Sequence, residues 1–223
     1  MTLKLAIWDM DGTIVDSRAV IQSAMVRAFA KCGLPEPSYE ATRKVVGLDL
    51  DEACRRVAGD ALDPGRLPEL VDAYRTAFVL QREEEHFHEP LYEGAVDLLE
   101  TLFQQGWLQA IATGKSRRGV DAVFEKHPLS KYFDTTWCAD DGPGKPHPFM
   151  CQAAMNALGV EAESALMIGD SIFDVQMGNA AGVETHGVTW GFGNGDELAS
   201  VGADHVHTEF SSLHRALENF FVR

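Results

Sequence analysis

The segment 5-LAIWDMDGTIVDS-17 decides the fold, because an apolar strand ends there at two closely spaced carboxylates. Residues 3–8 read LKLAIW, and their largely apolar character is typical of a buried strand. Asp9 and Asp11 follow two residues apart, and like charges that close repel each other and raise each other's proton affinity. A bound cation together with chemistry at this point is the leading explanation for such an arrangement.

Length and composition are those of an ordinary globular protein. The 223 residues are 45% hydrophobic and 24% charged, which suggests one or two domains with a sizeable core. The formal net charge of -15 argues against nucleic acid and anionic membranes, since both attract clustered lysine and arginine. We therefore expect neither nucleic acid nor membrane as a partner, and the oligomeric state stays open between monomer and homodimer.

The cysteines and the N-terminal sequence favour a cytoplasmic protein. No CxxC pair occurs, so free thiols in a reducing compartment are predicted for Cys32, Cys54, Cys138 and Cys151. An acidic residue arrives before the apolar region of a signal peptide could be complete. No run approaches the ~18 apolar residues of a membrane span.

A helical block follows the first strand. Ile21, Met25 and Phe29 share one helical face, and Gly33 marks the end of that helix. There is almost no strand signal before about residue 86, and the further predicted helices cover 38–45, 50–58 and 67–81. We expect residues 17–87 to form an all-helical cap domain, inserted into a second domain made of residues 1–16 and 88–223.

Strands and helices alternate after Pro90. Strands are predicted at 107–113, 133–137, 164–168 and 183–188, with His205 and His207 on a further short strand. Helices are predicted from Ala95 to Leu102 and over 116–126, 148–158, 171–180 and 210–221. This alternation is typical of an α/β fold with a doubly wound, mostly parallel sheet and helices on both faces.

Polar side chains concentrate where these strands end, which is the edge at which open α/β sheets bind ligands. The first strand leads into Asp9, Asp11, Gly12 and Thr13. The elements that follow contribute Thr113, Gly114, Lys145, Asp170 and Asp174. Such a set suits phosphoryl transfer, because Mg²⁺ prefers oxygen ligands and one carboxylate can attack phosphorus. A second carboxylate can then protonate the leaving oxygen, while lysine and threonine hold the phosphoryl oxygens.

Four segments, in order, resemble the motifs of haloacid dehalogenase superfamily phosphatases with a helical cap after the first strand. They are DMDGT, AIATG, GKPHP and IGDSIFD, and the resemblance covers essentially the whole chain. It implies that Asp9 is the nucleophile and a Mg²⁺ ligand and that Asp11 is the general acid and base. It also implies that the backbone carbonyl of Asp11 and the side chain of Asp170 bind Mg²⁺, and that Thr113 and Lys145 contact the phosphoryl group. The residues expected to support the site are Gly12, Thr13, Gly114 and Asp174.

The resemblance also implies a substrate class. The chain is most similar to phosphoglycolate phosphatases, so a small phosphorylated metabolite is expected, either a phospho-acid or a sugar phosphate. Arg43 and Lys44, in the cap segment TRKVVGLDL, are candidates to bind a substrate carboxylate, although both could simply be solvated. Many phosphoglycolate phosphatases read Thr-Asn-Lys where this chain has Thr-Gly-Lys, so Gly114 puts phosphoglycolate itself in doubt.

Several alternatives stay open at the level of sequence. A β-phosphoglucomutase-like phosphotransferase is disfavoured, because the cap glycine, Gly47, lacks basic neighbours. A non-catalytic phosphate-binding protein would not need every acid, and none is missing. A receiver-like protein also uses clustered aspartates, but it is shorter and has no inserted cap. Residues 187–198, GVTWGFGNGDEL, are interpreted as a flexible loop beneath which Trp190 and Phe192 pack.

Overall fold

A computed structural model describes residues 3–220 of the chain. Its strands are β1 (Leu5–Trp8), β2 (Leu108–Ala112), β3 (Thr135–Trp137), β4 (Ala165–Gly169), β5 (Glu184–Val188) and β6 (His205–His207). All are parallel and form one sheet in the order β3-β2-β1-β4-β5-β6, winding outward from β1 in both directions. The predicted doubly wound parallel sheet is confirmed.

The helices follow the predicted pattern, with ends that differ by a few residues. Between β1 and β2 lie α1 (Arg18–Lys31), α2 (Tyr39–Arg43), α3 (Leu50–Ala58), α4 (Leu67–Arg82) and α5 (Ala95–Gln104). The later helices are α6 (Arg117–Lys126), α7 (Phe149–Leu158), α8 (Ile172–Ala181), α9 (Gly195–Ser200) and α10 (Phe210–Glu218). The helix predicted over 210–221 therefore ends at Glu218, and position 221 lies outside the described residues.

Both faces of the sheet are covered, which explains why the strands are apolar throughout. Along β1, Ala6 and Trp8 belong to a hydrophobic cluster on one face, whereas Leu5 and Ile7 belong to a cluster on the other. All four side chains are fully buried. A strand buried on both faces has no polar side to alternate with, so its sequence is a short continuous apolar run.

Helices α1, α3 and α4 share a hydrophobic cluster of their own. Its buried members all fall between residues 25 and 73 and include Met25, Phe29, Cys54 and Leu70. The amphipathic pattern of α1 therefore packs against α4 rather than against the sheet, which is the arrangement expected of a separate helical unit.

The segment from residue 187 to 198 is more ordered than its glycines suggested. The Asn194 side chain accepts a hydrogen bond from the Glu197 amide and so caps α9, which corrects the flexible-loop interpretation for residues 195–198. Trp190 stacks on Phe210 at 4.2 Å between ring centroids and donates its indole N–H to the Thr13 carbonyl. Phe192 is buried, so both aromatic rings pack within the fold as expected.

The four cysteines are free, as predicted, and all four are buried. Within residues 3–220, no helix combines the length and apolar character needed to cross a membrane.

Candidate active site

Two acids stand side by side at the carboxyl ends of neighbouring strands. Asp9 follows β1 and Asp170 follows β4, and the Asp9 amide donates to the Ile168 carbonyl at 2.9 Å. Asp174, in the first turn of α8, completes a group in which one carboxylate oxygen of each acid lies within 4.8 Å of the others. All three side chains are buried. The sheet topology therefore brings together acids that are far apart in the sequence.

Lys145 enters this acidic group from the loop before α7. Its ammonium nitrogen lies 2.6 Å from Asp9 Oδ1 and 2.6 Å from Asp174 Oδ1, and the side chain is buried. Burial alone would lower the pKa of Lys145, but the charges of Asp174 and Asp9 raise it above its ordinary value. Lys145 is therefore cationic and offsets part of the charge of the three acids.

One lysine does not neutralise three buried carboxylates. Burial raises the pKa of Asp9 to about 7, with Lys145 opposing and Asp174 adding to the shift. Burial, followed by the charges of Asp9 and Asp174, holds the pKa of Asp170 well above its usual range. This convergence of oxygen donors with excess negative charge fits a hard divalent cation such as Mg²⁺.

The Asp170 carboxylate is fixed from two sides. The Phe192 amide donates to Oδ2 at 2.6 Å, and the Thr13 hydroxyl donates to Oδ1 at 3.3 Å. A Cβ atom on Gly12 or on Gly191 would overlap this carboxylate, and Gly12 also has a φ of +87°. Both loops therefore approach Asp170 at distances that only glycine permits, which accounts for Gly12 in the first motif.

Asp174 has two partners that set its position. It is the third residue of α8 and forms a capping box with Ser171, whose amide donates to Asp174 Oδ2 at 2.9 Å. Its other oxygen, Oδ1, faces Lys145. Asp174 therefore joins the start of α8 to the buried lysine, and its supporting role in the site stays a prediction.

Asp11 points away from the buried acids. Its carboxylate pairs with Lys115, whose Nζ lies 2.9 Å from Asp11 Oδ1 and 3.8 Å from the buried Glu89. Lys115 Nζ also lies 5.0 Å from the ring centroid of Phe78 on α4. Asp9 and Asp11 thus serve two sides of the site, since one faces Lys145 and the other faces Lys115.

Glu89 was missed at the level of sequence. It closes the acidic stretch 82-REEEHFHEP-90, and such a run predicts a solvated linker. Its side chain is nevertheless buried, and burial raises its pKa despite the nearby charge of Lys115. The only available signal was the position next to Pro90, where the chain re-enters the sheet domain.

Thr113 and Gly114 meet the cap segment. Thr113 follows β2, is buried, and accepts a hydrogen bond from the Lys115 amide at 3.2 Å. A Cβ atom on Gly114 would lie 2.9 Å from the Gly47 carbonyl oxygen and 3.1 Å from that of Leu48. The absent side chain at position 114 therefore leaves the space that the cap backbone occupies.

A cavity of about 500 Å³ connects these groups with the cap. It is lined at one end by Asp9, Asp11 and Thr113, and much of the remainder is apolar, including Ile21, Met25, Val46, Leu48 and Phe78. The basic residues along it are Arg75, Arg82, Lys115 and Arg118. Among the described residues, buried Nη2 of Arg82 has no hydrogen-bond partner. The cavity therefore combines an acidic end with basic residues and apolar surface along its length.

Arg43 and Lys44 do not line this cavity. Arg43 forms ion pairs with Glu40 and with Glu197 of α9, at 2.6 Å and 2.9 Å. Lys44 is exposed and pairs with Glu40 at 3.0 Å. The structure thus places Arg43 as a link between α2 and α9, and the substrate role of both residues stays a prediction.

Comparisons with known proteins agree with this geometry. A family model described as haloacid dehalogenase-like hydrolase matches residues 6–188. "Probable phosphatase IndB" from Dickeya dadantii is 33% identical over 212 residues, which are 94% of this chain and 91% of that protein. A phosphoglycolate phosphatase from Aliivibrio fischeri is 30% identical over 224 residues, with 95% of each chain covered. The crystal structure of "a predicted phosphatase from Clostridium acetobutylicum" has a TM-score of 0.86 at 25% identity, covering 98% of this chain and 99% of that one.

Proposed function

Because the chain belongs to the haloacid dehalogenase-like hydrolase family, we propose that it is a Mg²⁺-dependent phosphatase of small phosphomonoesters. The phosphoryl group is transferred first to Asp9 and then to water. One observation carries this proposal: the buried Asp9 carboxylate lines the cavity while Lys145 holds it at 2.6 Å. A nucleophile needs such a fixed position beside a cation that offsets the charge of the phosphoryl group.

The residues present fit a magnesium ion. Asp9, Asp170 and the backbone carbonyl of Asp11 would hold it, and the raised pKa values of Asp9 and Asp170 support a cation among them. When bound, the ion would supply positive charge to the phosphoryl oxygens and to the attacking carboxylate. Asp174 stands in the same acidic group but is engaged by Lys145 and by Ser171.

The reaction runs in two displacements. An Asp9 oxygen attacks phosphorus, the ester P–O bond breaks, and protonated Asp11 gives its proton to the departing alkoxide. Ionised Asp11 then takes a proton from water, whose oxygen attacks the aspartyl phosphate and releases inorganic phosphate. Asp11 recovers its proton in this second step, so the cycle closes with an alcohol and phosphate as products. Thr113 and Lys145 hold the phosphoryl oxygens in both displacements.

Residues 17–87 act as the cap. Their helices carry their own hydrophobic cluster, and the segment from Thr42 to Asp51 contributes half of the cap residues that line the cavity. Gly47 and Leu48 reach the rim at Gly114, so the closed cap excludes bulk water from the phosphoryl group. A cavity of about 500 Å³ beneath the cap suits a metabolite rather than a folded phosphoprotein or a nucleic acid.

The leaving group of the substrate carries either a second anionic group or several polar groups. Arg82 is the structure-based candidate partner for a substrate carboxylate, because it lines the cavity and has an unsatisfied buried nitrogen. A phosphoglycolate-like phospho-acid or a sugar phosphate meets these requirements, and the apolar lining favours a larger leaving group than glycolate. We further propose that the protein works in the cytoplasm, as a monomer or a homodimer.

A phosphate-release screen tests the function. Purified protein is assayed with Mg²⁺ against a panel of phospho-acids, sugar phosphates and nucleotides, with Asp9→Asn as the matched blank. We expect at least one small phosphomonoester to be hydrolysed far faster than p-nitrophenyl phosphate. A phosphopeptide turned over with a higher kcat/KM than every small ester tested would refute the size limit.

A further inference from the structure

A second cluster of ligand-type side chains lies on the sheet, away from the acids described above. Glu184 and His186 are two residues apart on β5, so they project from the same face. His205 on the edge strand β6 pairs in register with His186 and therefore shares that face. Glu184 begins β5, whereas Asp170 follows the opposite, carboxyl end of β4. The cluster is thus separated from the catalytic edge by the length of a strand.

We propose that Glu184, His186 and His205 form a second metal site, suited to Zn²⁺ or a similar transition-metal dication. Glu184 Oε1 lies 3.1 Å from His186 Nε2 and 3.4 Å from His205 Nε2. Zinc bonds of about 2.0–2.1 Å in a tetrahedron place neighbouring ligand atoms roughly 3.3 Å apart. The two measured separations therefore match ligands already gathered around one point.

His207 and Ser212 orient the buried His186 ring. His186 Nδ1 lies 3.0 Å from His207 Nε2, and His207 Nδ1 lies 3.3 Å from the Ser212 hydroxyl oxygen. That hydroxyl in turn donates to the Glu209 carbonyl at 2.8 Å. If each Nδ1–H donates along this chain, His186 Nε2 turns its lone pair toward Glu184 Oε1 at 3.1 Å, and a cation between these two acceptors would satisfy both. An imidazole held in this way by its second nitrogen is typical of metal sites.

The ligand types select a different ion from the catalytic acids. Imidazole nitrogen suits zinc, copper, nickel and cobalt, while Mg²⁺ prefers oxygen ligands only. His186 is fully buried, but the His205 side chain is 48% exposed, so solvent can reach the side of the ion that faces away from the sheet. A water molecule there completes a four-coordinate ion that clamps the edge strand β6 to β5.

Metal titration with matched variants tests the site. Protein stripped with EDTA and then saturated with Mg²⁺ is titrated with Zn²⁺ by calorimetry, and with Co²⁺ while the visible absorption of tetrahedral Co²⁺ is recorded. The exposed ligand is removed in His205→Ala, which keeps the core intact. The control is His214→Ala, since His214 also faces a glutamate, Glu218 at 3.7 Å, but within residues 3–220 it belongs to no group of three such ligands.

We expect wild type and His214→Ala to bind one Zn²⁺ with the cobalt signal and a higher melting temperature. His205→Ala and Glu184→Gln should weaken binding by about tenfold or more and lose the signal, with phosphatase activity unchanged. Equal Zn²⁺ affinity in wild type and His205→Ala would overturn the proposal, since that result would mean that the ion binds at the catalytic aspartates, which both proteins keep. Absence of binding in wild type would overturn it as well.

Discussion

The ammonium nitrogen of Lys145 lies 2.6 Å from Asp9 Oδ1, and neither side chain reaches solvent to any useful extent. The two residues are 136 positions apart in the sequence. A buried charge without a partner is costly, so removing either residue would leave the other as an unpaired buried charge. The contact therefore fixes the carboxylate that we propose as nucleophile, and it ties the first motif to the third.

Asp9→Asn should abolish turnover while leaving the fold intact. The amide keeps the shape of the side chain but cannot form an acyl phosphate, so kcat should fall on the order of a thousandfold or more. Lys145 keeps Asp174 as a partner at 2.6 Å, which limits any loss of stability. Phosphate release and thermal unfolding check both parts. Turnover within tenfold of wild type would place the nucleophile elsewhere.

Asp11→Asn should show an effect that depends on the leaving group. An alkoxide needs a proton as it departs, whereas p-nitrophenolate needs little, so the loss in kcat should be larger for alkyl phosphates. Lys115 loses its partner at 2.9 Å in this variant but stays near Glu89. Kinetics with a series of esters of graded leaving-group pKa give the measurement. An equal loss for all esters would contradict the general-acid role.

Magnesium should stabilise the protein more at alkaline than at acidic pH. The pKa of Asp9 is about 7 in the folded chain, because burial raises it, and 3.8 is its ordinary value. A group whose pKa is raised on folding loses its stabilising effect as the pH rises through that value. The melting temperature of the EDTA-treated protein should therefore fall progressively between pH 3.8 and about pH 7, the span between the two pKa values, and level off above it.

Added Mg²⁺ should offset this loss, because it binds only the folded site and replaces the proton among the acids. The rise in melting temperature on adding Mg²⁺ should accordingly be larger near pH 8 than near pH 5.5. Asp170→Asn is the matched variant, and it should show a much smaller rise. A pH-independent Mg²⁺ effect that survives in Asp170→Asn would contradict the metal assignment.

The sequence predicted the part of the site that strands position. Asp9, Thr113 and Asp170 each follow an apolar strand, and parallel strands bring their carboxyl ends to one edge whatever the loops do. The family match also excludes the receiver-like alternative, because it spans residues 6–188 with the helical insertion included.

What the sequence could not predict depends on how helices pack across the cavity. The direction of Arg82 on α4, and its distance from Arg43 on α2, follow from the angle between helices, for which no short motif exists. The pairing of Lys115 with Asp11 likewise joins residues 104 positions apart. Residues 195–200 were missed as a helix because their capping Asn194 stands in a glycine-rich stretch that resembles a loop.

Arg82→Ala should raise the KM for a phospho-acid while barely affecting p-nitrophenyl phosphate. Arg82 lines the cavity, and among the described residues its Nη2 is buried without a partner, so a substrate carboxylate would satisfy it. Losing one charge-assisted hydrogen bond corresponds to about a tenfold to hundredfold change in KM. Arg43→Ala and Lys44→Ala are the matched comparisons. If they alone raise the KM, the substrate partner is the one predicted from sequence.

Gly114→Ala should impair catalysis through the cap. The added methyl group would lie 2.9 Å from the Gly47 carbonyl oxygen, and the neighbour that must give way is backbone rather than a flexible side chain. The cap segment would then sit farther from Thr113, and a displacement on the order of 1 Å at a catalytic group can lower the rate about a hundredfold. We therefore expect kcat/KM for the best small substrate to fall by about tenfold to a hundredfold.

Gly195→Ala is the control, because its Cβ would meet only ordinary contacts at 3.7 Å and 3.9 Å. Steady-state kinetics and melting temperatures of the two variants separate a cap effect from a loss of stability. Wild-type kinetics in Gly114→Ala would mean that the cap can move away without loss of activity. In that case the close contact between Gly114 and the Gly47 backbone is not needed for catalysis.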